Sequence, residues 1–277
     1  MIEKKLRKRS LKEEPALIIA AFGSSTKGKI IYDICDSVIQ QELDSYKTVW
    51  AYTSEIIRAK NSHPGILEAL SLVEAQGYRN VVVQPLHIFP ATEYSVLSET
   101  CYSFPGMRVI MGETLLHRWV FVHEVLDIIA QDFLSPDEGI NIVAAHGTPL
   151  CVDPSNAVYL GLNHLLTYYY DNVFFLTIEG IPGSEIIFKK LLAIDKKQKT
   201  KVRIIPFMYV AGLHVQEDLL GSEESYKTRL EDIGFSVQWL TVDHNDNNYP
   251  KTLGFYEEIP YLFVNRIKRA LQLIKYF

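Results

Sequence analysis

The sequence predicts an α/β protein of two similar lobes, each a parallel sheet flanked by helices, with a cleft between the lobes. Three observations predict it. Short apolar runs rich in β-branched residues alternate with longer amphipathic stretches along the whole chain; this is the mark of βαβ units, whose strands are covered on both faces. The alternation also runs twice. "LIIAAFGSS" (17–25) and "INIVAAHGTP" (140–149) have the same shape, with Phe22 where His146 stands, and "VVVQPLHIFPATE" lies against "VRIIPFMYVAGLH", pairing Pro85 with Pro206 and Glu93 with His214. Finally, 277 residues at 48% hydrophobic and 22% charged have ordinary globular composition with ample length for a core, and the length allows one large domain or two of about 130 residues.

The first half opens on "MIEKKLRKRSLKEE" (1–14), a charged run of mixed sign that reads as a solvated arm. "ALIIAAFG" (16–23) is the first strand, and "KIIYDICDSVIQQEL" (29–43) has helical spacing at Ile31, Ile34, Cys35, Val38 and Ile39. "KTVWAYT" (47–53) is a strand. "HPGILEALSLVEAQG" (63–77) is a helix with Pro64 near its start and Gly77 at its end. "NVVVQPLHIFP" (80–90) and "RVIMGETLL" (108–116) are strands, and "WVFVHEVLDIIAQDF" (119–133) is a helix. The polar, turn-rich "SPDEG" (135–139) reads as the linker, dividing an N-terminal lobe over 15–135 from a C-terminal lobe over 140–277.

The second half repeats the plan. Strands are expected at "INIVAAHG" (140–147), "NVFFLTIEG" (172–180), "KVRIIPFMYVAG" (201–212) and "FSVQWLTVD" (235–243). Helices are expected at "NAVYLGLNHLLTYYY" (156–170), "EIIFKKLLAIDKK" (185–197), "SEESYKTRLEDIG" (222–234) and "YEEIPYLFVNRIKRALQLIKYF" (256–277). Asp, Asn and His244 crowd "DHNDNNYP" (243–250), but without the order of a calcium loop, so it reads as a solvated turn.

Composition also excludes. The net charge is −5 and no basic stripe follows the arm, which argues against nucleic acid as a partner. "ALIIAAF" is too short for a secretory signal or a membrane span, so no membrane role and a cytoplasmic location are expected. Cys35, Cys101 and Cys151 form no C-x-x-C and read as small buried hydrophobes. "SSTKGK" after the first strand lacks P-loop spacing, which disfavours a nucleotide cofactor.

In an open parallel sheet, ligands bind outside the carboxyl ends of the strands. Three polar residues of the second half stand there: His146 after "INIVAA", Glu179 after "NVFFLTI", and His214 after "IIPFMYVAG". Two imidazoles and a carboxylate suit a borderline divalent metal such as Co, Fe, Ni or Zn. Each alone has a bland reading as a satisfied loop residue or cap. His87 also lies near a strand end and could line the cleft, and Ser24 could offer a hydroxyl to an anionic ligand. His63 reads as a helix-entry residue, and His117, His123 and His164 as packing or surface residues.

"AFGSS", "AYTSEIIRAK", "AAHGT", "TIEGIP" and "PFMYVAGLHVQEDLLGSEESYKTRLEDIGFSV", in this order over roughly residues 15–275, resemble the anaerobic sirohydrochlorin cobaltochelatases of CbiK type. The resemblance implies a two-lobed chelatase that inserts Co²⁺, as substrate metal, into sirohydrochlorin with release of two pyrrole protons. It implies His146, Glu179 and His214 as metal and catalytic residues, with His146 the principal proton acceptor. It implies Glu93, in "ATEY", as a first-lobe cleft carboxylate, and it carries the expectation of a homo-oligomer. Lys27, Arg58 and Lys60 are rim candidates for the substrate carboxylates. The chain departs from the family at "VQEDLLG", where an Asn-Asp-Met run is usual, and at "DHNDNNYPKTLGF", which replaces a Gly-Leu-Gly-Glu segment. Two alternatives stay open: Fe²⁺ or Ni²⁺ as the inserted metal, and a carrier without turnover in which His87 is an axial ligand to haem.

Overall fold

The computed structural model describes residues 11–61, 63–194, 200–221 and 223–276. Most of the charged arm (1–10), the end of the helix expected over 185–197, the first residue of that over 222–234 and the last of that over 256–277 lie outside this description. The first half forms a four-stranded parallel sheet from β1 (Ala16–Ala21), β2 (Thr48–Tyr52), β3 (Asn80–Pro85) and β4 (Arg108–Met111), in the order β2-β1-β3-β4. The second half forms another from β5 (Ile140–Gly147), β6 (Val173–Glu179), β7 (Lys201–Pro206) and β8 (Ser236–Trp239), in the order β6-β5-β7-β8. The two orders are the same once the second set is renumbered, so the internal repeat of the sequence is a repeat of topology.

Alternation along the central strands divides the apolar residues between two faces. On β1, Ala16, Ile18 and Ala20 face an outer core closed by α3 (Ile66–Ala75) and α4 (Thr92–Tyr102). Leu17, Ile19 and Ala21 face the other way. On β5, Ile140, Ile142 and Ala144 face an outer core with α7 (Ser184–Leu192) and α8 (Tyr226–Asp232), while Val143 and Ala145 turn inward. The two inward faces share one core with α1 (Ile30–Glu42), α5 (Trp119–Ala130), α6 (Ser155–Tyr169) and α9 (Glu258–Leu273). Although it follows the second sheet in the chain, α9 packs on α1, β3 and β4 of the first. Its Arg266 is 4% exposed, pairs with Glu124 at 2.9 Å and lies over the Phe121 ring.

Several boundaries differ from the sequence reading, each for a physical reason. The strands expected over 80–90 and 201–212 stop at Pro85 and Pro206, which pair with Ala20 and Ala144 at equivalent registers. Proline has no N–H for the ladder, so the chain leaves each sheet there. The strand expected over 235–243 ends at Trp239. The "solvated turn" after it is a hairpin of β9 (Thr241–His244) and β10 (Asn247–Pro250). Its two turn residues, Asn245 and Asp246, hold φ of 47° and 59°, the left-handed conformation that Asn and Asp tolerate in such turns. Two short helices carried little signal: α2 (Glu55–Asn61) and α4, which buries only Leu97 and Cys101. No helix among the described residues is long and apolar enough to cross a membrane.

Phe263 of α9 is fully buried and meets Tyr209 edge-on at 5.6 Å. Phe263→Ala is expected to cost about 3–5 kcal/mol, read as a lowered urea midpoint by circular dichroism.

Candidate active site

The carboxyl ends of both sheets open onto one cleft of about 630 Å³. Its walls come from the loops after β1, β3, β5, β6 and β7, and include Ser24, His87, Glu93, His146, Glu179 and His214. None of Lys27, Arg58 and Lys60 is among the lining residues. Lys27 instead bonds Asn247 at 3.0 Å, and Arg58 pairs with Glu68 at 3.3 Å.

His146 and Glu179 are brought together by backbone packing. The register of β5 against β6 sets Gly147 opposite Glu179. Gly147 holds φ of +84°, and a Cβ there would fall 1.7 Å from the Glu179 carbonyl oxygen; one on Gly180, at +88°, would fall 2.1 Å from the Thr148 carbonyl oxygen. Only glycine combines that conformation with that approach, so the "HG" and "EG" pairs are one structural unit. His214 reaches the same wall from β7, after a strap from Phe207 to Leu213 that lines the cleft.

The two imidazoles meet at right angles, 4.3 Å between ring centres with an interplanar angle of 85°. Each is tied back at Nδ1. His146 Nδ1 lies 3.0 Å from the Gly147 carbonyl oxygen, and His214 Nδ1 lies 2.5 Å from Asp218 Oδ2. A proton on each Nδ1 satisfies these contacts and leaves each Nε2 lone pair free. Asp218 was missed in the sequence; the only signal for it is its i+4 spacing from His214. Among the described residues, no three His, Cys, Asp or Glu side chains close into a metal-ligating group. Glu179 therefore shares the wall with the imidazole pair without completing a three-ligand set.

The facing lobe supplies Glu93 and His87. Glu93 stands in the first turn of α4, with Oε2 3.7 Å from His87 Nε2. Its side chain is 57% exposed into the cleft. Flanking protein nevertheless raises its carboxyl by desolvation, against a lowering by His146 and with a further raise from Asp153. His87 is 9% exposed, and neither ring nitrogen has a hydrogen-bond partner among the described residues. Burial pushes its imidazole down to about 4, so it is neutral at cellular pH. Ser24 bonds Thr26 through their hydroxyls at 2.9 Å. The other histidines pack on aromatic rings: His63 on Tyr52, His117 on Tyr94, His123 on Tyr169 and His164 on Tyr168.

Two α/β lobes with a cleft at their strand ends are a fold shared with solved chelatase structures. The solved structures that share it include SirB from Bacillus subtilis with Fe³⁺, at a TM-score of 0.64 and 15% identity over 93% of this chain and 95% of that one. CbiX, the terminal enzyme for biosynthesis of siroheme in denitrifying bacteria, superimposes at 0.54 and 19% identity over 92% and 99%. The cobalt chelatase (CbiK) family model matches residues 15–272, and the chain belongs to that family, a family of metal chelatases. It is 27% identical over 232 residues to the sirohydrochlorin cobaltochelatase CbiKC of Nitratidesulfovibrio vulgaris, covering 79% of this chain and 80% of that one. It is 26% identical over 271 residues to the sirohydrochlorin cobaltochelatase of Salmonella typhimurium, covering 93% and 97%.

The buried neutral His87 gives stability a pH dependence. Its folded value lies below the unfolded value of about 6.5, so the unfolded chain takes up the proton first as pH falls. Stability is expected to drop by up to about 3 kcal/mol between about pH 6.5 and pH 4. In urea melts across that range, His87→Leu should lose less than wild type.

Proposed function

We propose that this chelatase inserts Co²⁺ into sirohydrochlorin in exchange for two pyrrole protons. The observation that carries the reading is the imidazole pair on one cleft wall, with both Nδ1 atoms tied back and both Nε2 atoms available. The family membership and the two cobaltochelatase relatives support the choice of metal and pigment.

Co²⁺ accepts imidazole nitrogen and carboxylate oxygen readily, and it binds neither so tightly as a thiolate site would hold it. In this reading His146 and His214 receive the ion through Nε2, with Glu179 beside them on the same wall. The pigment enters the cleft and offers its nitrogens to the ion. Two pyrrole N–H bonds break as metal–nitrogen bonds form, and the ion's charge favours loss of those protons. Each imidazole that releases the ion regains a lone pair. An imidazole with a free lone pair is suited to accept a proton. His146 is the principal acceptor, and Glu179 and His214 hold metal or pass protons on. Glu93, Ser24 and His87 line the pigment's side of the cleft. Fe²⁺ and Ni²⁺ fit the same ligand types, so the ranking of ions is a matter for rate measurement.

Anaerobic absorbance spectroscopy of sirohydrochlorin with Co²⁺, Fe²⁺ or Ni²⁺ tests the reading. Wild type should accelerate the spectral change of insertion, fastest with Co²⁺, and His146→Ala should lose about 10²-fold or more. Binding of the pigment with no acceleration by any ion would overturn it. Asp218→Ala should weaken Co²⁺ binding in isothermal titration by about 10- to 100-fold, because the partner that orients His214 is gone.

A further inference from the structure

The first turn of α4 does not reach the cleft on its own account. Thr92, its first residue, is bonded across the lobes to Asp153, which follows β5 and His146 in the second half. Asp153 Oδ2 accepts from Thr92 Oγ1 at 2.7 Å and lies 3.4 Å from the Thr92 backbone nitrogen. Its Oδ1 accepts from Ser155 Oγ at 2.6 Å and from the Ser155 backbone N–H at 2.8 Å. Asp153 is 9% exposed and Ser155 is 2% exposed, at the N-terminal end of α6. All four contacts fall on one carboxylate, and two of them come from the other lobe.

We propose that Asp153 is a positioning residue for the reaction: through Thr92 it fixes the first turn of α4, and so sets the Glu93 carboxylate in the cleft facing His146. The proposal rests on the chelatase reading above and adds a residue to it. Glu93 is covalently next to Thr92, so a shift of that turn moves its carboxylate directly. α4 cannot supply the order itself. It buries only Leu97 and Cys101, and its own N-cap residue, Ala91, provides no side-chain hydrogen bond to the first turn. The electrostatics agree with the geometry. Burial alone would raise the Asp153 carboxyl, but the hydrogen bonds from Ser155 and Thr92 outweigh it and hold Asp153 ionised. A charge-assisted acceptor of this kind makes a stronger tether than a neutral one.

The test is a set of insertion kinetics with Co²⁺ and sirohydrochlorin, with thermal melts to verify folding. Thr92→Val removes the hydroxyl at nearly constant shape, and it should lower kcat by about 10- to 100-fold with KM little changed. Thr92→Ser should restore the rate. In a Glu93→Gln background Thr92→Val should add less than about twofold, since the group it positions is already gone. Equal losses in both backgrounds, or no rescue by serine, would overturn the proposal in favour of a general packing role. A second readout does not need activity. Amides of residues 92–95 should exchange hydrogen faster in Asp153→Ala than in wild type, and unchanged exchange also overturns the tether. Wild type that inserts no metal while those amides do respond sinks the chelatase reading and leaves the tether standing.

Discussion

Everything at the cleft depends on one shared apolar core. Each central strand alternates its side chains between an outer core of its own lobe and an inner core common to both. Leu17 and Ile19 from β1 lie in the same cluster as Val143 and Ala145 from β5, with Phe175, Phe207 and Phe263 filling the space between helices. Burial of this kind is worth roughly 25 cal/mol per Å² of apolar surface, and here it is bought by holding the two sheets against each other. The carboxyl ends of both sheets are thereby kept at one mouth. α9 tightens the arrangement, because the chain's end returns to the first sheet after building the second.

The fold was legible because its signals are periodic and repeated. Alternation of strand and helix predicted parallel sheets, and the repeat of "IIAAFGSS" in "IVAAHGTP" predicted two lobes of one plan. What escaped was local. α4 has almost no apolar face, so periodicity had nothing to detect. The hairpin over 241–250 is built from polar residues whose pairing is set by an Asn-Asp turn, and composition alone made it look solvated.

The placement of His146, Glu179 and His214 along one cleft was readable because ligands of a parallel sheet lie outside its strand ends, and all three stand at such ends. The supporting residues were less so. Asp218 and Asp153 are hydrogen-bonded to neighbours at the cleft, and a carboxylate that accepts a hydrogen bond looks in sequence like any other surface acid. The glycines after His146 and Glu179 became meaningful only when each was seen packed against the other loop's backbone. Sequence names the groups that could do chemistry; what decides their direction and tautomer is the second layer, which depends on contacts far apart in the chain.

Two of the hydrogen bonds between the lobes, both at the cleft, form a matched pair. The loop after β1 reaches the loop after β7, where Thr26 Oγ1 donates to the Ala211 carbonyl at 2.9 Å. The loop after β5 reaches the loop after β3, where Asp153 accepts from Thr92. With β5 equivalent to β1 and β7 to β3, the two contacts join equivalent pairs of loops, as in an isologous interface between identical subunits. A half-length chain of this plan would carry its own partner surface, and its cleft would read the same from either lobe. In the joined chain that equality is broken. Phe22 stands where His146 would recur, and Glu93 where His214 would. The cleft is therefore lined by two different walls, one carrying the imidazole pair beside Glu179 and the other Glu93 beside the buried His87, and it acquires a front and a back.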